Sequence, residues 1–580
     1  MHPDVTREQP TAEADRTEPL PRHVRFLARL ARRQLPAAPV CAVSVERGIA
    51  VPASDGVTLL TDHYRPLAGG PHPTVLIRTP YGRGFPWDYL YGALLGEQGF
   101  HVVIQSCRGT GGSRGTFEPF VGEAADAQAA MAWLRRQEWF SGSLATIGPS
   151  YLGFTQWALA ADPPPELGAM VVQVSPHDLY GLLYPGGAFA LEATLAGVAA
   201  TLSMHRGMGR ATLAMLRLLR HYRRVTRTLP LIDTYPAAFG GRVGFLEGWI
   251  SHPKPGDPYW APRRAVISPE RIPPASLLTG WSDVFLDQTL ALYLRLRGAG
   301  RETRLIVGPW THTSGFNKDL PVVFGEALGW LHRHLGGNGA GAGALPVRVH
   351  VGETGAPGAW RDLADWPPPG FPERAWHLHA GGTLAAEPPA AETVSSFRYD
   401  PADPTPSVGG PMLDSRNAGL RRNNALEARR DVLVFTSEPL SAPLDVIGPV
   451  SFRVRARASG ARFDVFVRLC DVDPKGTSWN VCDGLMRLGG EPGPRDDGGG
   501  AAAAGAAWRD VTVPMSATAH RFGAGHRLRV QVSGGAHPRF MRNTGTGEPM
   551  ATATRLVPVE IEISDGRVLV PSENADVMAR

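Results

Sequence analysis

The chain has 580 residues, of which 43% are hydrophobic and 19% charged, and a formal net charge of +5. That length is too great for one core and predicts about two to four units. So small a charge on so long a chain makes no case for a nucleic-acid partner, and no stretch approaches the ~20 apolar residues of a membrane span. The four cysteines, Cys41, Cys107, Cys470 and Cys482, lack the CxxC spacing of a zinc site and suggest no disulfide framework.

Residues 1–20 are charged and Pro-rich and are expected to be disordered; the first eight lack the apolar core of a signal peptide, which points to the cytoplasm. Arg22 to Leu35 has helical apolar spacing at Val24, Leu27, Ala31 and Leu35. Docking on the domain that follows is its expected use, and a membrane surface is the alternative. Residues 1–44 are therefore read as a tail with a short basic amphipathic helix. From 45 to 177, apolar runs at Thr74 to Arg78, His101 to Gln105 and Leu144 to Ile147 alternate with helical stretches, the rhythm of a mostly parallel sheet. From 178 to 265 the period turns helical, notably over Leu213 to Leu219, and predicts a cap inserted into the sheet. Sheet rhythm resumes over 266–336. After the low-complexity run Gly337 to Gly343, period-two alternation at Val347 to Val351, Phe452 to Ala456 and Phe463 to Leu469 predicts an antiparallel β-sandwich over 345–580, with the Gly/Ala/Pro-rich stretch 489–507 as a mobile loop. The expected fold class is α/β with a helical insertion, followed by an all-β domain.

Within this frame, Gly148-Pro149-Ser150-Tyr151-Leu152-Gly153 lies between the apolar run ending at Ile147 and the helix-like Phe154 to Ala160. A serine on a sharp strand-to-helix turn has its hydroxyl pushed out where a base can reach it, and the helix aims free N–H groups at an oxyanion forming there. Such a fold should deliver an acid and then a histidine on loops after later strands. Asp283 follows the strand signal Ala275 to Trp281, and His312 follows Arg304 to Trp310, which ends in Gly-Pro. Each residue alone has a plainer reading: a packing turn for Ser150, a helix N-cap for Asp283, a surface loop histidine for His312. Their joint order, each at a strand end, favours nucleophile, acid and base.

The stretches Ile77-Arg78-Thr79-Pro80-Tyr81, Arg108-Gly109 through Ser113-Arg114-Gly115, Gly148 to Gly153, Gly280-Trp281-Ser282-Asp283 and Gly308-Pro309-Trp310-Thr311-His312 resemble the signature blocks of the cocaine esterase and X-Pro dipeptidyl-peptidase group of serine hydrolases, the CocE/NonD hydrolases. The similarity continues through Arg398 to Pro404, Asp431 to Phe435 and Gly525 to Ser533. The resemblance implies an α/β-hydrolase core with a jelly-roll C-terminal domain, and a triad of Ser150, His312 and Asp283. It also implies an oxyanion hole made of the Tyr81 hydroxyl and the Tyr151 backbone N–H. Tyr81 alone reads equally well as an aromatic closing a Pro-Tyr-Gly turn. One departure is Ser106, which stands where the family commonly has an aspartate, a group that would bridge to an arginine.

Phe285 corresponds to an aromatic lining the family's acyl pocket, with Trp281 and Tyr184 as neighbours; core packing is the alternative for Trp281 and Phe285. The expected activity is cleavage of small acyl esters or amides through an acyl-enzyme, with an X-Pro dipeptidyl-peptidase or an acyltransferase on the same scaffold as alternatives. A third reading makes the sandwich a binding module, with Trp479 and Trp508 as contact aromatics, beside an inactive core. Expected partners are a small acyl ester, amide or short peptide, with a homodimer kept as a candidate assembly. No cofactor is expected, and no metal, since His377 and His379 alternate on one strand face without a third ligand of suitable spacing.

Overall fold

The computed structural model describes residues 17–35, 40–204, 208–336, 345–414, 416–460, 462–489 and 507–573. Residues 1–16, the run 337–343 and the interior of the 489–507 loop lie outside the described residues. The central sheet runs in the order Val43–Pro52, Thr58–Pro66, His101–Ser106, Thr74–Thr79, Leu144–Pro149, Leu167–Gln173, Ala275–Ser282, Thr303–Thr311 and Val347–Glu353. The first three strands pair antiparallel and the rest are parallel. Parallel strands need helical crossovers that cover both faces, so they are apolar without interruption. Val75–Ile77, Val102–Ile104 and Val171–Val172 are accordingly all buried.

The Val347–Glu353 strand corrects one expectation. Its alternation suits the sandwich, but Val347, Arg348 and Val349 pair in parallel with Leu305, Ile306 and Val307, extending the central sheet. Only its far end, Gly352 and Glu353, meets the second domain, at His520 and Arg521. Period two identifies a half-buried strand without saying which sheet it joins.

Between Gln173 and Ala275 the chain makes helices at Leu179–Leu183, Leu191–Ser203, Met208–Arg227 and Gly244–Ser251. The two ends of this insertion are zipped together. Asp178 and Arg264 form an antiparallel bridge and an ion pair of 3.2 Å, and the Ala265 N–H donates to the His177 carbonyl. A side chain from the Leu286–Gly298 helix clamps the zipper: Gln288 accepts the N–H groups of His177 (2.9 Å) and Asp178 (3.1 Å) and donates to the Asp178 carbonyl (2.9 Å).

The second domain is mostly strands. Arg509–Phe522, Leu444–Ala458 and Val559–Pro571 form one sheet; Ser478–Leu488, Phe463–Val472, Arg527–Ser533 and Val432–Thr436 form the other. Inward-facing Phe452, Val454, Val465, Val467, Val513, Val530 and Ile561 build the core between them. This domain also holds the helical insertion. Its His537 ring reaches the Thr226 carbonyl (2.8 Å) and its Arg542 donates to the Arg227 carbonyl (2.6 Å), which satisfies orphan acceptors at the end of the Met208–Arg227 helix.

At the N-terminus, Val24, Ala28 and Ala31 of the Arg22–Arg32 helix are buried against Trp87 and Leu90, so the helix docks on the central domain and ends three residues before the expected Leu35. Glu18 and Pro19, expected to be disordered, pair with Val45 and Ser44. Among the described residues no helix is long and apolar enough to cross a membrane.

Removing the Gln288 clamp should loosen the insertion at its root. In Gln288→Ala, amide exchange at residues 178–183 and 264–265 should rise about tenfold or more while the central strands stay protected; unchanged exchange would show that the zipper holds without it. A second consequence follows from buried histidines. His63 and His101 lie 2.9 Å apart, and burial holds His63 well below 6.5 and His101 down to about 4, as it does His177 and His537. The unfolded chain therefore takes up protons that the folded one refuses. Stability contributed by the neutral rings is full above pH 6.5 and is lost as the pH falls toward about 4. Urea denaturation should show a loss on the order of several kcal/mol between about pH 7 and about pH 4.5.

Candidate active site

The Leu144–Pro149 strand delivers the chain to Ser150, and the Tyr151–Ala160 helix starts one residue later. Ser150 has φ 58° and ψ −124°, a left-handed conformation that L-residues avoid. Two glycines permit it. A Cβ on Gly148, itself at φ 151°, would lie 2.5 Å from Leu152 Cβ, and one on Gly153 would lie 2.3 Å from Ser175 Cβ. The Ser150 N–H is fixed by the carbonyls of Gln173 (2.9 Å) and Val174 (3.1 Å). Strain spreads around the turn. Of the four non-glycine residues with positive φ among the described residues, Phe120, Ser150 and Val174 adjoin it, and Asp565 lies elsewhere. A β-branched residue such as Val174 at φ 42° persists only where its surroundings enforce it. Sequence reasoning missed Phe120 and Val174, because neither residue type announces a positive φ.

The Tyr151 ring points away from the turn into a buried polar network. Its hydroxyl donates to Glu123 (2.9 Å) and accepts the Phe120 N–H (2.7 Å); Glu123 pairs with Arg78 at 2.8 Å, and Arg78 also donates to Gln105 (2.9 Å). The motif arginines Arg78 and Arg108 thus have structural partners, Arg108 bridging Asp126 (2.6 Å) and Asp55 (2.6 Å). Ser106 also has a partner. It accepts from Arg83 at 2.7 Å, and the charge on that arginine is met instead by Asp62 at 2.8 Å.

Tyr81 follows the Thr74–Thr79 strand, its N–H held by the Thr79 hydroxyl at 3.0 Å and its ring against Trp87 and Tyr151. The Ser150 side chain and the Tyr151 backbone N–H both act on the hydroxyl. Burial of that end pushes the phenol above its ordinary range, and these two neighbours offset part of the rise.

Asp283 and His312 leave the ends of adjacent parallel strands, Ala275–Ser282 and Thr303–Thr311. The His312 Nδ1 lies 2.9 Å from Asp283 Oδ1, and the other carboxylate oxygen accepts the Thr279 hydroxyl at 3.0 Å. Asp283 is 1% exposed. A buried carboxylate with both oxygens engaged fixes the ring and its tautomer, Nδ1–H toward the acid and Nε2 free to act. Phe285 presents an edge-to-face contact to His312, with ring centroids 5.2 Å apart.

The other two pocket candidates are placed differently. Trp281 donates its indole N–H to the His350 carbonyl (2.7 Å) and packs on Trp366, in the seam with the second domain. Tyr184 is buried in an aromatic group of the insertion with Tyr180, Phe189 and Trp260, its hydroxyl on the Trp249 carbonyl (2.8 Å). Both side chains make packing contacts. Among the described residues no cluster of His, Cys, Asp or Glu could hold a metal ion.

Residues 55–314 match the X-Pro dipeptidyl-peptidase (S15) family, and residues 338–565 match the X-Pro dipeptidyl-peptidase C-terminal non-catalytic domain. The chain is 32% identical over 553 residues to cocaine esterase from Rhodococcus sp. (strain MB1 Bresler), covering 88% of this chain and 94% of that one. Its fold is similar to that of an aminopeptidase from the marine sediment archaeon Thaumarchaeota archaeon (TM-score 0.74, 22% identity, 91% and 97% of the two chains). An alpha-amino acid ester hydrolase is similar to the same degree (TM-score 0.74, 21% identity, 92% and 98%). The chain therefore belongs to the cocaine esterase and X-Pro dipeptidyl-peptidase group, the CocE/NonD hydrolases, and is a serine hydrolase acting on esters or peptides.

Proposed function

We propose that the protein cleaves small acyl esters through an acyl-enzyme on Ser150, with His312 as general base and acid and Asp283 as the group that orients the imidazole. The observation that carries this reading is the 2.9 Å contact between His312 Nδ1 and buried Asp283, on strand ends of the same parallel sheet whose Leu144–Pro149 strand delivers a serine in a strained turn. With Nδ1 committed to Asp283, Nε2 takes the Ser150 proton as Oγ attacks the carbonyl. The same proton then goes to the leaving alcohol, and water repeats the sequence in reverse. Asp283 stabilises the transient imidazolium.

The negative charge that develops on the carbonyl oxygen falls to two donors, the Tyr81 hydroxyl and the Tyr151 N–H. The Tyr81 hydroxyl is influenced by both the Ser150 side chain and the Tyr151 backbone N–H in the resting enzyme, which supports this assignment, since preorganised donors need no rearrangement when charge appears. A phenol with a raised pKa stays protonated and donates at neutral pH. The helical insertion would act as the cap and Phe285 as one wall of the acyl pocket.

The test compares p-nitrophenyl esters with Gly-Pro and Ala-Pro anilides. Esters should be turned over faster than anilides; the reverse order would make the protein a dipeptidyl-peptidase. Ser150→Ala should lower kcat by ~10³-fold or more. Tyr81→Phe should fold normally and lose ~10²–10³-fold in kcat, with KM little changed. A near-normal kcat in Tyr81→Phe would remove the tyrosine from the oxyanion hole.

A further inference from the structure

The insertion between Gln173 and Ala275 turns a face that is both apolar and cationic toward solvent. Its longest helix, Met208–Arg227, holds six arginines and no Asp or Glu, more positive charge than the net +5 of the whole chain. Leu218, Val225 and Thr226 point to the interior and are buried. The opposite side of the helix therefore presents Leu213 and Leu216 in its first half and Arg220, Arg223, Arg224 and Arg227 in its second, all recurring at helical spacing. Leu213 is 66% exposed and Leu216 57%, and Met215 and Leu219 are exposed beside them. Four large apolar side chains open to water on one helix mark an interaction surface.

Beside this ridge runs a groove of about 540 Å³, with Leu202, Phe239 and Phe245 among its walls and Arg210 and Arg217 contributed by the helix. Arg242, which also lines it, is engaged by Glu247 (2.6 Å) and Asp233 (3.3 Å). The helix arginines are not so engaged. Among the described residues, none of the six has a carboxylate within ion-pair distance; Arg217 donates to the Ala237 carbonyl at 3.1 Å.

Charge and apolarity together select the occupant. A second copy of the chain docked face to face would set the same arginines against each other. An anionic lipid surface supplies what each half of the helix lacks, phosphates for the arginines and an apolar boundary for Leu213 and Leu216. Twenty residues span ~30 Å, so both halves can lie in one interfacial plane. Arginine suits that position, because its aliphatic stem packs on apolar surface while the guanidinium holds a phosphate.

We propose that the outer face of the Met208–Arg227 helix is a docking surface for bilayers that carry anionic phospholipids. It would hold the protein peripherally, at the level of the headgroups, and it is independent of the chemistry at Ser150.

The experiment floats the full-length protein with vesicles of phosphatidylcholine alone and of phosphatidylcholine with phosphatidylglycerol, each at low and high salt. Wild type should partition onto the anionic vesicles at least about tenfold better than onto the neutral ones, and high salt should remove most of that preference. Leu213→Ser with Leu216→Ser, and separately Arg220→Ser with Arg223→Ser and Arg224→Ser, should each lower partitioning about tenfold or more. Lysine at the same three arginine positions should keep it within about threefold. Arg22→Ser with Arg25→Ser and Arg29→Ser removes equal charge from the N-terminal helix and should also stay within about threefold. Every side chain changed is exposed, and an unchanged melting temperature verifies that each variant folds. Equal losses from the two serine triples would assign the attraction to overall charge and overturn the proposal, as would wild type that stays off the anionic vesicles. A dimer dissociated by Leu213→Ser with Leu216→Ser, without vesicle binding, would give the face to a second copy instead.

Discussion

The left-handed backbone at Ser150 is the constraint on which the rest of the structure depends. Holding a serine at φ 58° costs about 1–3 kcal/mol, and the fold spends that energy to lift one hydroxyl off the end of the sheet. What offsets it is local. Two carbonyls hold the Ser150 N–H, glycines at 148 and 153 leave room for Leu152 and Ser175, and the following helix is buried along its whole length. Any side chain at either glycine would collide at under 3 Å with a neighbour, so the turn and the helix would have to part.

Behind the turn lies a second constraint, a buried ion pair. Arg78 and Glu123 are 2% and 5% exposed at their side chains, and the pair is completed by the Tyr151 hydroxyl and Gln105. Replacing one partner of such a pair leaves an uncompensated buried charge, about 3–5 kcal/mol of destabilisation. The network therefore does more for position than for net stability: it pins the Tyr151 ring beside the turn. The same logic explains how Ser106 is tolerated. A hydroxyl replaces one carboxylate contact to Arg83, and the full negative charge is supplied from Asp62 on the neighbouring strand.

How much of this was legible in the sequence differs by feature. Parallel strands at Leu144–Pro149, Ala275–Ser282 and Thr303–Thr311 announce themselves as short apolar runs, and residues placed at their ends inherit a location from the sheet itself. That is why Ser150, Asp283 and His312 stand out in the sequence as candidates in chain order. Side-chain direction was not legible. Trp281 and Tyr184 are aromatics near the right elements, but one turns to His350 and Trp366 and the other to Tyr180 and Trp260. Partners far along the chain were equally hidden. Gln288 clamps residues more than a hundred positions earlier, and Asp287 meets Ser516 across the domain seam. The Val347–Glu353 strand shows the limit of periodicity, since its pattern suits either sheet and only its pairing with Leu305–Val307 decides.

The central claim is that Ser150 is the residue that becomes acylated. Its most direct test is to react the intact wild-type protein with a fluorophosphonate and locate the adduct by peptide mass mapping. A single phosphonyl group on the peptide carrying Ser150, absent from His312→Ala under the same exposure, is the predicted result. Stoichiometric labelling of a different serine, with Ser150 unmodified, would contradict the account.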